Sequence, residues 1–185
     1  MIVRLALLTA GLMLASAAPA QEIDAAASRI GFTFRQMNVP VEGGFKNIRG
    51  RIHFDAQRPE RSRAEIEVDI AGIDTGAPDG DAEAQRRAWF DSARHPVAKF
   101  VSNGVKRLAP ERYEVSGTLT IKGHAQPLTV PIEVRQDKTA RRFEGGFPLR
   151  RLAFAIGEGV WADTDTVADE IQVRFQLVQR IAAKP

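Results

Sequence analysis

The side chains best suited to chemistry are spread thinly along this chain. Its three histidines, His53, His95 and His124, are far apart in sequence, and none stands at metal-ligand spacing from another. His53 falls on the polar face of an alternating segment and His124 in an expected turn, where a solvated imidazole is ordinary. Carboxylates gather at Asp79, Asp81 and Glu83, and again at Asp163, Asp165, Asp169 and Glu170. A carboxylate pair could serve acid–base catalysis. The first group, however, sits where a helix N-terminus attracts acids, and the second lies in a polar loop. Neither has the glycine and closing glutamate of a calcium-binding loop. Ser62, Ser92, Ser102 and Ser116 lack the glycine-flanked turn that exposes a nucleophilic serine. The absence of cysteine removes thiol chemistry, disulfides and thiolate-ligated metals. No catalytic constellation emerges, and no metal or cofactor is expected.

The elements that would hold a site are mostly strands. Apolar and polar residues alternate with period two in segment after segment, which marks strands buried on one face. Ile30, Phe32 and Phe34 share a face in SRIGFTFRQ, as do Ile52 and Phe54 in RGRIHFD. RAEIEVDI sets Ile66, Val68 and Ile70 against Glu65, Glu67 and Asp69. A hairpin follows: Tyr113, Val115, Gly117, Leu119 and Ile121 share one parity, KGHAQP turns the chain, and Leu128, Val130, Ile132 and Val134 return. Pro131 lies inside the returning strand and has no N–H to give a ladder. Phe143, Phe147 and Leu149 alternate later, then Ile171, Val173, Phe175 and Leu177. One helix is expected over Asp79–Phe90, and a long loop over Ile156–Glu170. The paired glycines at 43–44 and 145–146, and those at 157 and 159, read as bulges or bends.

Roughly eight such strands can hide their apolar faces only against one another, in a closed barrel or a sandwich. A barrel of about eight strands either fills with side chains or encloses one small ligand. Phe32, Phe34, Phe54, Phe100, Phe143, Phe147 and Phe175 all fall on expected inward faces. Parity alone is compatible with both a chamber and a filled core.

The first twenty residues, MIVRLALLTAGLMLASAAPA, combine a single early arginine, an apolar run and a small-residue end. This is the pattern of a cleaved secretory leader. The apolar run is shorter than the roughly 20 residues of a membrane span. Removing 20 of the 185 residues leaves 165, and takes only Arg4 from the formal charge of +3. An exported, periplasmic domain over residues 21–185 is therefore expected, with no stable membrane insertion. The near-balanced charge gives no basis for nucleic-acid binding.

Several motifs, in order, resemble those of the YceI-like family. They are Gly43-x-Phe45, Gly50-x-Ile52-x-Phe54-Asp55, Ile73-Asp74-Thr75-Gly76, Trp89-Phe90-Asp91, Pro96 and Phe100-x-Ser102. Gly117-x-Leu119-Thr120-Ile121-Lys122-Gly123, Arg151-x-x-Phe154 and Ile156-Gly157 complete the series, from about Ile23 to Val178. The resemblance implies an all-β, extended eight-stranded antiparallel barrel of lipocalin-like form, with one short helix and a long loop. It further implies a long isoprenoid or similar amphiphile as ligand, a non-enzymatic role, and often a homodimer. Two departures stand out. Where many members carry an Arg-Asp-x-His run, this chain reads Asp79-Gly80-Asp81-Ala82-Glu83, and Ala153 and Ala155 flank Phe154 where Asp and Gly are common. Head-group contacts from those positions are not carried over.

On this reading the lipid-binding wall comprises Phe32, Phe34, Phe54, Val68, Ile70, Phe100, Val115, Leu119, Ile132, Val134, Phe147 and Phe175, with Trp161 near a mouth. The ligand is a polyprenyl or quinone-like lipid. A ten-residue strand spans roughly 33 Å, long enough to flank such a tail. At about 0.8 kcal/mol per buried CH₂, a tail of some 40 carbons is worth roughly 30 kcal/mol gross. Tail ordering and incomplete burial bring this below the ceiling near −20 kcal/mol. Two alternatives stand beside this reading: a side-chain-filled barrel acting as an interaction or stress-response protein, and an enzyme acting on a lipid.

Overall fold

The computed structural model describes residues 20–181. The leader expected over residues 1–20 lies, apart from Ala20, outside the described residues. In chain order the strands are β1 (Gln21–Glu22), β2 (Arg29–Gln36), β3 (Val39–Phe45), β4 (Ile48–His53), β5 (Arg63–Asp69) and β6 (Ile73–Asp74). The helix α1 (Pro78–Ala84) follows, then β7 (Val97–Ala109), β8 (Arg112–Ile121), β9 (His124–Gln136), β10 (Ala140–Arg150) and β11 (Glu170–Arg180). All pair antiparallel in one sheet, in the order β1-β4-β5-β7-β8-β9-β10-β11-β2-β3-β6.

This corrects the expected closed eight-stranded barrel. The eleven strands form a curled sheet whose two flanks are not joined by a ladder. The reason lies in the link between β3 and β4. The backbone N–H of Lys46 donates to Gly72 O at 2.9 Å, and Asn47 O accepts from the Asp69 N–H at 3.0 Å. Groups that could close a hairpin are thus committed to the segment between β5 and β6, and the chain crosses from one flank to the other. The short strands cover part of each exposed edge: β6 pairs with Gly44 and Phe45, β1 with Arg51 and Ile52. Short edge strands leave little template for pairing with a foreign strand.

The expected alternation holds in β2, β4, β5, β8, β9, β10 and β11, but, besides the two-residue strands β1 and β6, two longer strands escaped the pattern. Pro40 and the Gly43-Gly44 pair masked β3. In β7 the register shifts between Ser102 and Gly104. The extra residue reverses parity partway, so Phe100 and Val105 both face inward despite their odd spacing. The hairpin turn contracts from KGHAQP to Lys122–Gly123, both at positive φ (50° and 78°), as a tight two-residue connection requires. His124 accordingly begins β9 rather than sitting in a turn.

The helix is also shorter than expected and ends at Ala84. Beyond it, Phe90 N–H donates to Ala84 O at 3.0 Å, and Asp91 takes φ 52° with its N–H on Arg86 O. That turn swings Trp89 and Phe90 inward. Residues 156–169 are loop as expected, containing a 3₁₀ turn at Gly159–Ala162, and another 3₁₀ turn at Arg151–Phe154 precedes them.

β9 and β10 pair only from Ile132 to Gln136. Upstream, Pro127 and Pro131 of β9 and Pro148 of β10 have no N–H, so the two strands splay. A small lateral cavity of about 170 Å³ opens there, bordered by Leu128, Phe147 and Phe154.

Candidate ligand chamber

Two apolar clusters occupy opposite ends of the curled sheet. At one end, strand residues Ile48, Ile52, Ile66, Tyr113, Val134, Phe143 and Leu177 pack with Ile23. Phe54 stands at its centre, with T-shaped contacts to Tyr113 (5.1 Å between centroids) and Phe143 (5.6 Å). Arg141 lies over the Phe54 ring at 5.0 Å. At the other end, Ile70, Ala98, Ile121 and Leu149 pack with Phe154 and Ile156 from the connections, joined by Trp89 and Phe90.

Between them lies a cavity of about 610 Å³ whose wall is predominantly apolar, within the roughly 300–1,000 Å³ range of small-molecule sites. The interior is a chamber and not a filled core.

Of the residues expected to form a wall, β2 contributes Phe32 and Phe34, β5 Val68, and β7 Phe100; Phe54 and Ile70 follow β4 and β5 directly. β8 contributes Val115 and Leu119, β9 Ile132, β10 Phe147 and β11 Phe175, while Trp161 enters from the loop. Val134 does not line the cavity. It stands opposite Phe143 in the β9–β10 register and is buried within the aromatic end cluster. Parity put it on the correct face, but its position along the strand lies too far towards the plugged end.

Glycines keep some of these rings against the wall. Gly145 is opposite Phe175, and a Cβ there would stand 2.8 Å from the ring's Cζ. Gly43 is opposite Phe32 in the same way. A side chain at either position would push a ring towards the chamber. The glycine pairs therefore belong to strands and not to bends.

A polar clamp, not foreseen from sequence, organises the loop end. Arg151 is fully buried. Its Nε donates to Ala168 O (3.1 Å), Nη1 to Ile156 O (2.9 Å) and Gly157 O (3.2 Å), and Nη2 to Val167 O (2.6 Å). Burial pulls its pKa below the usual arginine value, and the charge of Asp169 opposes that shift. The guanidinium lies 5.7 Å from the Trp89 ring centroid, and Trp89 in turn packs on Trp161 at 5.4 Å. Nearby, Lys122 Nζ donates to Ala155 O and to Glu158 Oε2, both at 2.6 Å. That hydrogen bond, with the lysine charge behind it, holds the Glu158 carboxyl below its ordinary range. The only sequence signal for these residues was their place in quoted motifs, Trp89-Phe90-Asp91, Gly117 to Gly123 and Arg151-x-x-Phe154.

The acidic groups separate into different uses. Asp163 accepts from the Asp165 N–H and the Thr166 hydroxyl, and Asp169 accepts from the Leu152 N–H, so both carboxylates cap the loop. Asp81 accepts from the Thr75 amide (2.6 Å) and hydroxyl (2.7 Å). Asp79 and Glu83, from α1, border the chamber, as does His53. Among the described residues no group of three or more His, Asp and Glu side chains is placed to hold a metal, and no helix is long and apolar enough to cross a membrane.

A curled antiparallel sheet thus surrounds an apolar chamber, with the connections packed at one end. Relatives of the chain agree on the lineage: residues 21–179 match the YceI-like domain, and the chain belongs to that family. A UPF0312 protein of Pseudomonas savastanoi pv. phaseolicola is 32% identical over 108 residues, covering 58% of this chain and 53% of that one. The match thus spans about half the length of that relative. A UPF0312 protein of Photorhabdus laumondii is 31% identical over 134 residues, 69% of each chain. Among solved structures, Burkholderia cenocepacia BcnA superposes with a TM-score of 0.82 at 38% identity, over 84% of this chain and 98% of that one. A polyisoprenoid binding domain from Saccharophagus degradans has the same fold, with a TM-score of 0.70 at 17% identity over 87% and 98% of the two chains.

Proposed function

We propose that this protein is an exported carrier that encloses an amphiphile with a long apolar tail, an isoprenoid such as a polyprenyl or quinone-like lipid, and performs no reaction on it. The observation that carries the reading is the apolar chamber of about 610 Å³ spanning the interior between two end clusters. Its wall is supplied by Phe32, Phe34, Phe54, Phe100, Phe147 and Phe175 with aliphatic neighbours. Each methylene moved there from water contributes about 0.8 kcal/mol, and apolar walls discriminate only weakly between similar tails. Selection by tail length and by a few polar groups follows. The structural neighbour described as a polyisoprenoid binding domain supports the ligand class. The leader-like first twenty residues support a periplasmic site of action.

Organic extraction of the protein purified from its native compartment, followed by mass spectrometry, tests the reading. Stoichiometric recovery of a polyprenyl or quinone-like lipid is the expected result. Protein that is repeatedly empty, and that takes up no isoprenoid when offered one, would count decisively against it.

A further inference from the structure

The ladder between β9 and β10 stops at Ile132 and Gly145, although β9 extends back to His124 and β10 forward to Arg150. Alternate residues of a strand direct their backbone groups to opposite neighbours. The Val134 N–H donates to Glu111 O on the β8 side, so even-numbered residues of β9 face β8 and odd-numbered ones face β10. Glu133 stands opposite Glu144, which makes the even-numbered residues of β10 the ones facing β9. Pro127, Pro131 and Pro148 therefore all occupy seam-facing positions. Each lacks the N–H that a continued ladder would take from it. The registers with β8 and β11 run unbroken past them. The seam is thus held open by its own residues, and it opens onto the chamber. Leu119, Leu128, Phe147 and Leu149 line both the lateral cavity of about 170 Å³ and the chamber. Between the splayed strands, side chains and not a ladder separate the two.

The other ways out are barred by hydrogen bonds. At the loop end the buried Arg151 ties four carbonyls together. The interval between the two flanks of the sheet is bridged by Ile23 N–H to Gly50 O (3.0 Å) and Asp24 N–H to Val178 O (2.7 Å). The buried Gln179 adds its amide, which donates to Ile52 O at 2.7 Å. Across the seam, by contrast, Gln126 Nε2 reaches Ala153 O at 3.3 Å, a long and exposed bond. We propose that the β9–β10 seam is a lateral portal of the chamber, and that the apolar tail of an amphiphile enters and leaves between Leu128 and Phe147. The proposal rests on the chamber being an amphiphile site. Passage requires new rotamers of Leu128 and Phe147, both half-buried, and release of the Gln126 contact. It breaks no ladder and leaves the Arg151 clamp intact. Side-chain rotamers interconvert far faster than segments unfold locally. The walls of the portal, with Pro127 and Pro148 beside those two side chains, are apolar, which suits a tail and disfavours a charged head group.

The chain has no cysteine, so a single introduced thiol can be capped selectively. Ala153→Cys places one at the lateral cavity and Val160→Cys places one on the exposed loop; neither position lines the chamber. Each variant is capped with a methyl or a benzyl group, and the two caps are compared on the same variant. The probes are parinaric acid and a dansyl-labelled geranylgeranyl amine, with uptake and release followed by energy transfer from Trp89 and Trp161, which border the chamber. At position 153 the benzyl cap is expected to slow uptake and release alike, on the order of tenfold, with the amplitude at equilibrium unchanged. At position 160 the two caps should give the same rates. Equal rates for both caps at 153, or slowing at 160 as great as that at 153, would overturn the portal and leave the chamber reading in place. A wild type that takes up neither probe would overturn the chamber reading and the portal with it.

Discussion

The two ends of the chamber are closed by different means. One is plugged largely by side chains that strands hold in register: Tyr113 and Phe143 meet Phe54, just past the end of β4, edge to face, with Leu177 and Ile66 around them. The other is shut by connections, α1 with Trp89 and Phe90 and the loop carrying Trp161, tied together by Arg151 and Lys122. Ladder-held aromatics can open only if the sheet itself comes apart. A loop pinned by a few side-chain hydrogen bonds opens locally and at lower free energy. Strand-borne packing thus supplies a fixed floor, and the hydrogen-bonded loops supply the end expected to open first.

This contrast can be broken from either side. The largest effect is expected at the floor. Phe143→Ala removes a ring that is 4% exposed and should lower unfolding free energy by about 3–5 kcal/mol, measured by denaturant titration. It should also deepen the chamber and admit longer tails. A loss below 1 kcal/mol would mean the floor is not the rigid end.

Next comes the clamp. Arg151→Met leaves four carbonyls without their donor, at a cost of about 2–4 kcal/mol. Hydrogen exchange should accelerate at residues 155–168 while the amides of β10 and β11 around Phe143 and Leu177 stay protected. Uniform acceleration at both ends would erase the distinction between them.

The smallest effect is a response to acid. Glu158 is held below its ordinary 4.5 by Lys122, and Asp91 below 3.8 by its hydrogen bond with Arg94. A carboxylate whose folded pKa is depressed contributes stability above the unfolded value and loses it as pH falls through the folded one. The loop end should therefore loosen as pH drops below about 4.5, visible in the near-ultraviolet dichroism of the Trp89–Trp161 pair. At the floor end, Arg142 and the amides of its own turn hold Asp137 far lower, so that end persists further into acid. Simultaneous loss of both ends would contradict the ordering.

The same division separates what was readable in the sequence from what was not. Phe32, Phe34 and Phe175 were legible as inward-facing residues because period two is a local property, visible within a few residues. Val134 was misplaced because parity assigns a face but not a depth along the strand. β7 was missed because one extra residue at its bulge reverses the parity halfway. Trp89, Arg151 and Lys122 gave almost no local sign. Lys122 meets Glu158 across 36 residues, and Arg151 meets Val167 across 16.

By itself, the sequence determined the strand class, the apolar face of most strands and the family, since each is written in short periodic patterns and their order. Whether those faces meet or stand apart is a matter of how far the sheet curls, and that was decided only by the tertiary structure. There the commitment of Lys46 and Asn47 to the Asp69–Gly72 segment prevents a closing ladder. Glycines opposite Phe32 and Phe175 seat those rings against the wall.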